Sequence, residues 1–241
     1  MSSKSDLEKA QGRAAKAGEP ARTGDVAAFI AAARTAPKAG AGRLILALDA
    51  TMSRQPTWDL ACSLQGDMFV TAGRKSGLAM QLVYFRGFGE SRASRFVTDA
   101  GELARLMSGV TCAGGLTQIG KVFKHALKEH AKAPVAALVF IGDAMEENLD
   151  EVTEVAGRMG LNRIPAFIFQ EGADAAAERA FREFARLSGG AWFRFDRNSA
   201  NQLAELLKAV AVYASGGRAG LISDGGRAAT LLIEKMGGRG R

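Results

Sequence analysis

The sequence predicts an α/β fold, a doubly wound and mostly parallel central sheet with helices on both faces. Two observations predict it. A continuous apolar run of strand length follows Arg43 at 43–48, and largely apolar runs of the same length recur at 78–85, 135–141 and 165–169. A run that is apolar at every position marks a strand covered on both faces, as in a parallel sheet. Between these runs lie segments whose apolar residues repeat at helical spacing. Strands that alternate with helices form parallel sheets through crossover connections.

Each element is read in chain order. Residues 1–42 form a mobile N-terminal segment with one short helix and a linker. Asp25 is a candidate N-cap for the helical spacing of Val26, Phe29, Ile30 and Ala33. Residues 36–42 are rich in Ala, Gly and Pro and read as the linker. The first strand is 43–48. Trp58, Ala61, Cys62, Leu64, Met68 and Phe69 give a helical stripe, with Cys62 in the core. Residues 78–85 are a strand, and 95–97 a short one expected to run antiparallel. Asp99 caps a helix that holds Leu103, Leu106 and Met107. Residues 117–130 are a helix with Ile119, Val122, Phe123, Ala126 and Leu127 inward. The strand 135–141 follows, then a helix carrying Leu149, Val152, Val155, Ala156 and Met159. The strand 165–169, the helix 174–187, the strand 191–195 and a final helix 200–213 complete the domain, 43–215. Residues 216–241 read as a basic Gly/Arg-rich tail with three Gly-Gly-Arg units. Inside it, 228–236 is a short helix or strand.

The net charge of +7 lies at the ends. Residues 1–43 carry 8 basic and 4 acidic side chains, and 216–241 carry 5 and 2. The 44–215 stretch is balanced, with 19 of each. A nucleic-acid-binding domain usually concentrates basic residues on one face. Nucleic acid is therefore an expected partner only through the flanks. No apolar run is long enough to span a bilayer, and charges stand where a signal peptide needs an apolar stretch. The expected location is cytoplasmic, with no membrane partner. Cys62 and Cys112 fit no paired metal spacing.

The chemistry gathers in five residues. Asp49, Thr51 and Ser53 follow the first strand within Asp49-Ala50-Thr51-Met52-Ser53. Thr117 follows Gly114-Gly115, and Asp143 ends the run of the 135–141 strand. Two carboxylates and three hydroxyls at strand ends make an all-oxygen cation site. Such a site suits magnesium or manganese, with calcium competing, and does not suit zinc. In doubly wound sheets ligands bind beyond the carboxyl ends of strands. The bland readings are strand-end turns for Asp49 and Asp143 and a helix cap for Thr117. Glu146 and Glu147 read as the acidic first turn of the next helix.

The three motifs together resemble the von Willebrand factor A domain with its metal-ion-dependent adhesion site. That family carries Asp-x-Ser-x-Ser, a separate Thr after a Gly-rich turn, and a later strand-end Asp. Here Thr51 replaces the first Ser and keeps a hydroxyl. Gly115-Leu116-Thr117-Gln118-Ile119-Gly120 fits the second motif, and Gly142-Asp143-Ala144 the third, with Ala in place of a frequent Gly. The resemblance spans roughly residues 42–215. It implies a Rossmann-like fold and a protein partner that offers an Asp or Glu to the bound metal. It implies binding and not catalysis, and it points to bacterial intracellular relatives that work beside ATPases or stress-response complexes.

Two phosphoryl-transfer enzymes and an RNA-associated module are the alternatives. Residues 115–121 match Gly-x4-Gly-Lys, but Val122 stands where a P-loop needs Ser or Thr. A haloacid-dehalogenase-like phosphohydrolase needs a second acid two residues after its nucleophile, and position 51 is Thr. The RNA-associated module would use the basic flanks. His125 and His130, five apart on one helix, read as surface or half-buried residues.

Overall fold

The computed structural model describes residues 42–54, 78–196 and 199–237. Their strands are β1 (Arg43–Asp49), β2 (Ala79–Arg86), β3 (Glu90–Ala93), β4 (Ala137–Gly142), β5 (Ala166–Glu171) and β6 (Ala191–Phe195). They form one sheet in the order β3-β2-β1-β4-β5-β6. All neighbouring pairs are parallel except β2 with β3. The helices are α1 (Ala100–Ser108), α2 (Ile119–Lys132), α3 (Leu149–Leu161), α4 (Ala175–Ser188), α5 (Ala200–Asp224) and α6 (Arg227–Gly237). The stripe expected between Trp58 and Phe69, and the N-terminal segment, lie outside the described residues.

The sheet separates two hydrophobic layers, as the unbroken apolar strands require. Leu44, Leu46 and Leu48 of β1 face Leu103 and Met107 of α1 and Leu203, Leu207 and Val210 of α5, within one cluster. Ile45 and Ala47 belong to the opposite cluster, with Phe123 of α2, Val155 of α3 and Phe181 and Phe184 of α4. Fully burying an aliphatic or aromatic side chain contributes about 1.5–3 kcal/mol. β1, buried from Leu44 through Asp49, is the centre of the fold.

Local signals fix the helix starts. Asp99 Oδ1 accepts from the Glu102 amide at 2.7 Å, and Asp174 Oδ1 from the Ala177 amide at 2.6 Å. Asn148 caps α3 by accepting from the amides of Asp150 and Glu151. On α2, His125 Nε2 is 2.8 Å from Gln81 Oε1, and His130 Nδ1 accepts from the Val135 amide. Both rings are half-buried.

Three expectations need correction. The antiparallel strand is Glu90–Ala93, not 95–97; Val97 makes only an isolated antiparallel bridge with Met80. The polar Glu-Ser-Arg-Ala run carries no apolar pattern because it is an edge strand. The helix expected from Thr117 starts at Ile119, because Thr117 is held by another loop. The third correction is the largest. The domain does not stop at residue 215, and 216–237 is not a tail. α5 continues to Asp224 through a kink at Gly217, where φ is 60° and ψ is −158°. Glycine takes that conformation without the penalty a Cβ would bring. α6 then buries Ala229 and Leu232 completely, in the same cluster as Leu221 of α5. The Leu231-Leu232-Ile233 triplet is core and near-core packing. Among the described residues, no helix is long and apolar enough to cross a membrane.

Candidate functional site

β1 delivers Asp49 to the carboxyl edge of the sheet, in register with Phe85 of β2. On its other side β4 runs parallel, with Leu48 opposite Ile141. The strand order reverses direction between β1 and β4, so Asp49 and Asp143 flank the switch point where such sheets bind ligands. A Cβ on Gly142 would lie 3.4 Å from the Asp49 Cβ, so the end of β4 lies against Asp49.

After β1 the chain turns tightly. The Ala50 amide donates to the Phe85 carbonyl, and the Ala50 carbonyl accepts from the Ala113 amide, each at 3.0 Å. Thr51 and Ala113 form a parallel bridge. This brings the loop before Thr117 alongside the first motif. Asp49 Oδ1 accepts from the Thr51 amide at 2.8 Å. A 3-10 turn follows at Met52–Arg54, with the Thr51 and Ser53 hydroxyl oxygens 3.1 Å apart. Asp49, Thr51 and Thr117 are buried, Asp143 is half-buried and Ser53 is exposed.

Glu146 and Glu147 tie the second and third motifs together. Thr117 Oγ1 accepts from the Glu146 amide at 3.0 Å, and the Thr117 amide donates to Glu146 Oε2 at 3.1 Å. Glu147 accepts from the amides of Ile119 and Gly120 at the start of α2. The two acids therefore do not form the first turn of α3, which Asn148 caps. Glu147 serves α2, whose first amides need acceptors and whose dipole favours a negative charge, and Glu146 holds the Thr117 loop ahead of it. Thr117 is consequently no helix cap. Gly115 lets the loops meet, since a Cβ there would fall 2.2 Å from the Gly87 carbonyl oxygen. The 115–121 stretch follows a loop rather than a strand, and Glu147 holds the amides of Ile119 and Gly120. Lys121 Nζ donates to the Gly89 carbonyl and to Gln118 Oε1.

The electrostatics set this edge apart. Burial pushes the Asp49 carboxyl up to about 6, against hydrogen bonding from Thr51, with the Asp143 charge raising it and Arg54 lowering it. Asp49 Oδ2 and Asp143 Oδ1 are buried, and no hydrogen-bond partner for either lies among the described residues. Buried carboxylate oxygens are costly unless paired or bound to a cation. Arg54 is the residue that sequence reasoning missed. It is buried, pairs with Glu171 at the end of β5 and stands 5.9 Å above the Phe195 ring. Nothing in its sequence context marks it as internal.

The five oxygen-bearing residues suit a hard divalent cation. Two carboxylates bring the negative charge, and the hydroxyls of Thr51, Ser53 and Thr117 bring neutral oxygen donors. Among the described residues, no three or more His, Cys, Asp or Glu side chains gather into a metal-binding group. A site here therefore depends on the hydroxyls.

No family model matches the sequence, and no curated protein does. Solved structures do. A von Willebrand factor type A protein from Catenulispora acidiphila superposes with a TM-score of 0.61 at 14% identity, over 73% of this chain and 43% of that one. An aerotolerance-related membrane protein from Bacteroides fragilis gives 0.55 at 15% identity, over 69% of this chain and 96% of that one. The manganese-loaded TRAP protein of Plasmodium vivax gives 0.52 at 14% identity, over 70% and 74%. At such identities the likeness is one of fold.

Proposed function

We propose that this chain, whose fold is that of von Willebrand factor A domains, is a cation-dependent protein-binding module that captures an acidic side chain of a partner. One observation carries the reading: Asp49 Oδ2 and Asp143 Oδ1, buried at the ends of adjacent strands, have no hydrogen-bond partner among the described residues. Asp49, Thr51, Ser53, Thr117 and Asp143 are the proposed ligands, for magnesium or manganese in preference to calcium. A bound divalent cation supplies a positive centre at the sheet edge that attracts a partner's Asp or Glu. The chain's own residues organise the rest. The Thr51 amide orients Asp49, and the Thr117–Glu146 exchange holds the two outer motifs together. The manganese in the TRAP structure supports the choice of ion.

Position 51 offers no general acid beside Asp49, so binding and not turnover is the proposed activity. Phosphomonoester hydrolysis that vanished in Asp49→Asn would overturn that choice. The site itself is tested by melting the protein with manganese and with EDTA. A ligand that binds only the native state raises the midpoint, and Asp49→Ala should remove the rise while the metal-free protein stays folded. An equal rise in the variant would refute the site.

A further inference from the structure

The candidate metal edge carries apolar side chains that no core needs. Among the described residues seven large hydrophobic side chains are exposed, and four of them lie in or next to the loops that carry this site: Met52 at 55%, Phe88 at 88%, Leu116 at 51% and Leu149 at 48%. Their placement is built. Met52 stands between Thr51 and Ser53 in the 3-10 turn. Leu116 precedes Thr117, and its amide donates to the Gly87 carbonyl at 3.3 Å. That bond sets the β2–β3 turn, with Phe88 at its tip, against the Thr117 loop. Leu149 opens α3, two residues after the Glu147 that holds the start of α2. The cation Lys121 is anchored on the same turn through Gly89.

We infer that the partner presents its acidic residue between large apolar side chains, and that Met52, Phe88, Leu116 and Leu149 form the rim that receives them. The inference rests on the cation-dependent reading above and adds the chemistry of the partner. Single exposed apolar residues need no explanation, but several around one polar centre mark an interface. Interfaces place apolar anchors around a desolvated polar contact, where excluded water strengthens the charge interaction. A carboxylate on a polar loop would leave the rim wet and gain none of this. Lys121 adds a charge of the sign that an acidic segment requires.

The test uses the full chain and labelled peptides. One peptide is Leu-Leu-Asp-Phe-Leu, a second is Ser-Asn-Asp-Ser-Asn, and a third replaces the Asp of the first with Asn. Fluorescence anisotropy is read in manganese and in EDTA, beside the manganese-induced rise in melting midpoint. The first peptide should bind in manganese at least about tenfold more tightly than either other peptide, and EDTA should abolish its binding. Phe88→Ser combined with Leu149→Ser should bring its affinity down to that of the second peptide and leave the melting rise intact. Equal binding of the first two peptides, or binding of neither while the melting rise persists, overturns the rim and spares the metal reading. Binding that survives EDTA or the Asn replacement also overturns it. A parent protein without the melting rise brings down the metal reading, and the rim with it.

Discussion

At the amino end of the sheet, the Arg43 guanidinium donates to the carbonyls of Glu129 and Ala133 and to the Glu129 carboxylate. It also lies 3.8 Å above the Phe96 ring. Ser188 there accepts from the Ala166 amide and donates to the Ala185 carbonyl. At the carboxyl end, where β1 finishes at Asp49 and β4 leads into Asp143, one buried oxygen of each carboxylate has no such partner among the described residues. One end spends its polar groups on holding helices to strands. The other keeps charge concentrated, buried and available. Local rules of satisfaction are broken where a ligand would complete them.

The contrast predicts unequal responses to substitution. Arg43→Ala should be the most damaging, because it removes the guanidinium that ties β1 to the end of α2 and packs on Phe96, and leaves the nearly buried Glu129 to the more exposed Lys132. A loss of about 3 kcal/mol is expected, read as a lower urea midpoint with an unchanged slope. A loss under about 0.5 kcal/mol would mean the amino end is a solvated surface pair. Gly115→Ala should cost about 2 kcal/mol by forcing a Cβ against the Gly87 carbonyl, and the manganese response should weaken with it.

Glu129→Gln should cost about 1 kcal/mol at neutral pH, and its pH dependence has a definite sign. Hydrogen bonding from Lys132, helped by that charge and by Arg43, holds the Glu129 carboxyl below its ordinary 4.5. A depressed carboxylate stabilises the fold above its unfolded value, and the gain disappears as pH falls through the folded value. Urea melts of the two proteins should therefore converge below pH 4.5. A gap that widened in acid would contradict the pairing. Asp49→Asn should have the smallest effect on metal-free stability, within about 1 kcal/mol and in the stabilising direction. It removes a buried charge and keeps the oxygen that accepts from Thr51. A large loss would show that Asp49 is a structural residue, with no charge held in reserve.

Much of this contrast was legible in the sequence. The apolar runs of β1, β2, β4, β5 and β6 needed no more than their hydropathy, and the strand ends located Asp49 and Asp143. The cap at Asp99 followed from residue type, whereas Asp174, read as the first helical residue, is the cap of α4. β3 was misplaced because Glu90-Ser91-Arg92-Ala93, on the sheet edge, has no buried face to impose a period. The end of α5 was lost at Gly216-Gly217, a pair that reads as a breaker. There the helix bends and resumes, because Leu221 has a core to enter. Arg54 and the acids Glu146 and Glu147 escaped for another reason. Their partners are 117 to 27 positions distant along the chain, and no local pattern encodes such pairs.

The clasp between the Thr117 loop and the 143–147 loop also has a consequence for motion. The amides of Thr117, Ile119 and Gly120 all donate to Glu146 or Glu147. They exchange with solvent deuterium only when the two loops part. Their exchange therefore reports one opening event, not three separate frays. Because Thr117 and Asp143 sit on the two sides of that clasp, the opening that frees these amides is also the one that would take the proposed ligand set apart.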